Sequence, residues 1–91
     1  MWKVVIPRKV AKSVKDMPNL VQAKLEALIL DIRANGPIRG NWPNYSKLGR
    51  WQHHCHLKKG NPTYVAVWME SGTGIQLVEV QYVGTHEKAP Y

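Results

Sequence analysis

The sequence predicts a single α+β domain spanning residues 1–91: an N-terminal strand, an α-helical hairpin, then an antiparallel β-meander, in the order β-α-α-β-β-β(β). Three observations predict it. Apolar residues recur at helical spacing between residues 8 and 35, and the period becomes that of strands beyond a Gly/Pro/Asn-rich crossover. A chain of 91 residues has room for one core.

Trp2 to Ile6 alternates β-branched residues and stops at Pro7, which reads as a short strand. Arg8 to Met17 reads as a helix, with Val10, Val14 and Met17 on one face and Arg8, Lys12 and Lys15 on another. After Pro18 a second helix starts at Asn19, and Val21, Leu25, Leu28, Ile29 and Ile32 make its apolar stripe. Asn35-Gly36-Pro37 is its stop signal. Strands are expected at Tyr45–Leu48, Gln52–Leu57, Tyr64–Met69 and Ile75–Val83, with turn signals at Gly49, Gly60-Asn61-Pro62 and Ser71-Gly72-Thr73-Gly74. Tyr64 to Met69 is apolar on both faces and reads as the central strand, with Trp68 in the core. The helices should cover one face of the sheet and leave the other partly open.

Composition narrows the function. Thirteen Lys and Arg against six Asp and Glu give a formal charge of +7, a field that attracts a polyanion such as nucleic acid. The aromatics are four Trp and four Tyr with no Phe, rings whose polar tips suit half-buried surface positions. No segment has the apolar length of a membrane span, and Met1 to Pro7 does not read as a signal peptide. A lone Cys55 forms no internal disulfide, so a cytoplasmic location is expected.

Three segments carry a resemblance: Asn41-Trp42-Pro43-Asn44-Tyr45-Ser46-Lys47-Leu48-Gly49, the His53-His54-Cys55-His56 strand, and the closing Tyr82-Val83-Gly84-Thr85-His86-Glu87. Together with the helix pair they resemble the RelE/ParE superfamily of toxin–antitoxin toxins, in particular its YafQ-like mRNA interferases, along essentially the whole chain. The resemblance implies a toxin that cleaves mRNA on the ribosome, inhibits translation and is silenced by a cognate antitoxin. It also implies a cleavage role for His86 and a place near the scissile phosphate for Tyr91. One departure stands out: Pro62-Thr63-Tyr64-Val65 lacks the Arg that many relatives carry there, and Lys holds phosphate without the bidentate Arg fork.

The chemistry is within reach of these residues without metal or cofactor. RNA supplies its own 2′-OH nucleophile, and imidazoles with pKa near 6.5 serve as base and acid. Strand alternation sends His54 and His56 to one face, and His53 and Cys55 to the other. The resemblance supplies His86 and Tyr91, and alternation adds His54 and His56, so these four form the expected catalytic set, with Lys47 and Lys58 alongside for charge. Zinc is not expected, because alternation separates the four donors of the His-His-Cys-His run. RNA contacts are expected from Arg8, Lys12, Lys15, Lys59 and Arg50, with base stacking on Trp51. Trp42, Tyr45 and Trp51 equally suit packing on the hairpin edge or an antitoxin anchor. The toxin alone is expected to be a monomer or weak dimer. Two other classes stay open: a ParE-like toxin that inhibits gyrase without cutting RNA, and a generic RNA-binding module.

Overall fold

The computed structural model describes residues 1–91. Its elements are β1 (Lys3–Val5), α1 (Arg8–Lys15), α2 (Asn19–Asn35), β2 (Ser46–Lys47), β3 (Gln52–Lys58), β4 (Tyr64–Glu70) and β5 (Leu77–Thr85), followed by one 3-10 turn at His86–Lys88. The α+β class and element order match the expectation from sequence. The sheet order is β1-β5-β4-β3-β2. β2 to β5 form an antiparallel meander, and β1 closes the sheet by pairing in parallel with β5, so the whole is mixed.

All five residues of the α2 stripe are buried, and they meet Cys55, Leu57, Ala66, Trp68, Val78, Val80 and Val83 from the sheet. Trp68 anchors this core. It is fully buried, and its indole Nε1 donates to the Pro37 carbonyl at 3.0 Å, which satisfies the one polar atom of the ring. α1 packs against β5 and α2 against β3 and β1. α1 ends at Lys15, two residues short of the expected Met17. Met17 precedes Pro18, and a residue before proline is pushed out of the α region.

Two sets of contacts fix the C-terminal half of α2. At its C-terminus Gly36 has φ +93°, and a Cβ there would lie 3.1 Å from Trp2 Nε1, so only glycine lets Trp2 sit against the helix end. Along its exposed side Asp31 accepts hydrogen bonds from Asn35 at 2.7 Å, Arg39 and Asn41 at 3.0 Å, and Trp42 Nε1 at 2.9 Å. The crossover from Gly36 to Tyr45 is thereby tied to the helix. The Asn41 amide and the other donors hold the Asp31 carboxyl well below the usual carboxylate range, against the opposing effect of burial.

β5 runs to Thr85, two residues beyond the expected end at Val83. The ladder continues because Val65 pairs with Gly84 and Tyr64 with Thr85. Gly84 stays extended here and makes room for a ring. No helix of the chain is long and apolar enough to cross a membrane.

Candidate functional site

Alternation along β3 divides its histidines between two environments. His53 and Cys55 enter the helix-side core and are fully buried. His53 is completely engaged there: Tyr45 Oη lies 2.7 Å from Nδ1 and Glu70 Oε2 lies 2.7 Å from Nε2. The carboxylate can only accept, so Nε2 carries the proton, and Nδ1 accepts from the tyrosine hydroxyl. Burial lowers the His53 pKa, and Glu70 offsets this in part. Burial also pushes the Cys55 thiol up to about 12, which leaves it without nucleophilic thiolate.

His54 and His56 project from the opposite face. There β4 contributes Val67 and Val65, paired with His54 and His56, and β5 contributes Tyr82 and Gly84. Both valines are fully buried although they lie outside the helix-side core. Their burial needs a cover on this face, and the imidazole and tyrosine rings are the groups positioned there. A Cβ on Gly84 would lie 2.6 Å from Tyr82 Oη, so the ring rests over the glycine, with Oη donating to the Thr85 carbonyl at 2.8 Å. This turn delivers His86, whose backbone N–H donates to the Thr63 carbonyl at 2.8 Å.

The result is a row of rings. Centroids of His54 and His56 are 6.1 Å apart, those of His56 and His86 5.7 Å, and Tyr91 lies 4.8 Å from His54 and 5.8 Å from His86. Four residues from β3, the 3-10 turn and the C-terminus thus share one patch. His54 is oriented by β2: its Nδ1 lies 3.1 Å from Ser46 Oγ and 3.3 Å from the Ser46 carbonyl. A carbonyl only accepts, so Nδ1 bears the proton and the lone pair is left on Nε2. Burial, then the neighbouring His54, His86 and Lys59, lower the pKa of His56, so the middle imidazole resists protonation. Its Nδ1 is buried and has no hydrogen-bond partner.

Beside this row opens a polar cavity of about 300 Å³. His56 and His86 form one side, and the Gly60–Thr63 turn and Glu87 form the rest. Lys58 reaches its rim, since a Cβ on Gly60 would lie 3.6 Å from Lys58 Nζ.

One expectation about position needs correction, and two groups of expected RNA-contact residues lie away from the imidazoles. Lys47 pairs with His53, not His54, so it belongs to the helix-side face and does not join the imidazoles. Arg50 and Trp51 precede β3 at the end of the sheet away from His56, five residues along the strand or roughly 17 Å. There the Trp51 ring packs against Gly72, with Arg50 Cζ 5.1 Å from its centroid. One edge of the ring packs on the β4–β5 loop, and the residue stays exposed. Arg8, Lys12 and Lys15 are exposed on α1, in the helical layer across the sheet from the histidines. Lys59 does sit with the cluster, close enough to bias His56.

Sequence reading missed Ser46, the Tyr82–Gly84 stack, Asn61, Glu87 and the Tyr45–His53–Glu70 chain. Only Ser46 left a signal, as the polar residue that a tight β2–β3 turn places opposite His54. No known protein family, curated protein or solved structure matches the chain.

Proposed function

We propose that this chain is a RelE/ParE-type toxin, an endoribonuclease that cuts mRNA by attack of the 2′-OH on the adjacent phosphodiester. The observation that carries the reading is the row of His54, His56, His86 and Tyr91 on the sheet face opposite the helices. In the proposed step His54 Nε2 takes the 2′-OH proton while the 2′-oxygen bonds to phosphorus. The P–O5′ bond breaks, and His86 in its protonated form gives its proton to the leaving 5′-oxygen. The products are a 2′,3′-cyclic phosphate and a 5′-hydroxyl. Lys58 at the rim, with Lys59 next to it in the chain, stabilises phosphoryl charge. General acid–base catalysis of this kind contributes roughly 10²–10⁴ per proton transfer.

On this reading the chain works in the cytoplasm on mRNA held by the ribosome, and a cognate antitoxin covers the cluster. The second reading is a ParE-like toxin that inhibits gyrase, and one observation favours it. No arginine stands at the cluster: Arg39 is bound to Asp31, Arg50 lies over Trp51, and Arg8 and Arg33 belong to the helices.

Transcript mapping after induction separates the two. Nuclease action gives cut transcripts in the wild type, and His86→Ala, an exposed site that leaves the fold intact, should abolish both cleavage and growth arrest. Cleavage undiminished in that variant removes His86 from the chemistry. Intact transcripts accompanied by damaged DNA establish the gyrase reading instead.

A further inference from the structure

We propose that the cavity beside His56 and His86 is a nucleobase pocket, and that Glu87 makes it select guanine and reject uracil. This rests on the nuclease reading above and adds the identity of the base next to the cut. Glu87 adjoins His86 in the 3-10 turn and both line the cavity with His56, so a base held by the carboxylate lies next to the imidazoles.

The chemistry of the lining carries the assignment. A volume of about 300 Å³ lies at the lower end of small-ligand sites and takes one planar ring system. The lining is polar: two imidazoles, the Asn61 amide, the Thr63 hydroxyl and the Glu87 carboxylate. Thr63 Oγ1 is already committed, accepting from Gly60 N–H at 3.2 Å and donating to Gly60 O at 2.9 Å. Asn61 and Glu87 are exposed and make no side-chain hydrogen bond of 3.5 Å or less within the chain.

A carboxylate offers two acceptors side by side and no donor. Guanine presents N1–H and N2–H as parallel donors on its Watson–Crick edge and satisfies both oxygens. Adenine and cytosine each offer one amino donor beside an acceptor nitrogen. Uracil flanks its single N3–H with two carbonyl oxygens, which the carboxylate repels. Single-stranded RNA exposes these edges, and proteins read them there.

The test uses the full-length protein and translating ribosomes supplied with a set of mRNAs. These differ only in the base on one side, then on the other, of the mapped cut. Wild-type protein should cut the guanine transcript about 10-fold faster than the uracil one at one of the two positions, within the range of a good bidentate pair. Glu87→Gln should shrink that spread to about 2-fold while cutting the uracil transcript at least as fast as the wild type. The same order and spread in Glu87→Gln overturn the base-reading role. Loss of cleavage on all transcripts alike makes Glu87 part of the reaction and also overturns it. If the wild type cuts none of the transcripts, the nuclease reading itself fails and the pocket falls with it.

Discussion

Two of the four histidines are burdened by their surroundings in the same direction. His53 is buried against Tyr45, Glu70 and Trp68, and His56 lies between two other imidazoles with Lys59 nearby. In each case the folded pKa is held below the value of about 6.5 that the unfolded chain shows. The unfolded state therefore binds more protons in the window below 6.5. The stability these residues contribute is full above that value and is lost as the pH falls towards the folded pKa. Urea unfolding should give a lower midpoint at pH 5.5 than at pH 7.5, and His56→Ala should reduce the difference. A midpoint that is unchanged or higher at pH 5.5 contradicts this account of the two sites. The Asp31 carboxyl plays no part in that window, because its donors keep it ionised far below it.

At the scale of elements, the end of β5 governs the site. Gly84 keeps the strand extended and leaves space for the Tyr82 ring, and the Tyr82–Thr85 hydrogen bond sets the turn that presents His86. Gly84→Ala should force the ring aside, cost about 1–3 kcal/mol as overpacking does, and lower activity along with stability. Restoring stability by adding Tyr82→Leu would confirm that the clash is with this ring; a Gly84→Ala protein as stable as the wild type would rule the clash out. This strand end also marks what sequence could and could not disclose. Long, periodic stretches were legible: the α2 stripe, the central Tyr64–Met69 strand, and the division of His54 and His56 from His53 and Cys55. Those follow from helical and strand periods, which are local. The parallel pairing of β1 with β5 was not legible, because nothing in residues 3–5 specifies a partner more than seventy residues away. The placement of Lys47 failed for a related reason: a single-residue choice of register decides its face. The role of Trp51 depends on Gly72 across a loop, a contact that no period encodes.

Across the whole molecule, a +7 charge and a compact 91-residue fold place a polyanion within reach of every face, so charge alone does not choose the site. The choice comes from chemistry: one sheet face carries three imidazoles, two tyrosines and a polar cavity, while the other is filled by the α2 stripe and Trp68. The exposed lysines and arginine of α1 bear on association, not on bond breaking. On the proposed nuclease reading they suit a salt-dependent encounter with RNA phosphates. With no arginine beside the histidines, the proposed mechanism leaves phosphoryl charge to the nearby lysines. The most direct measurement is the chemistry of the RNA ends produced by purified protein on ribosome-bound mRNA. The account predicts 2′,3′-cyclic phosphate and 5′-hydroxyl ends, and no cut where the nucleotide 5′ to the scissile phosphate is a 2′-deoxynucleotide. Ends bearing 3′-hydroxyl and 5′-phosphate, or unimpeded cutting at the deoxy position, would contradict it.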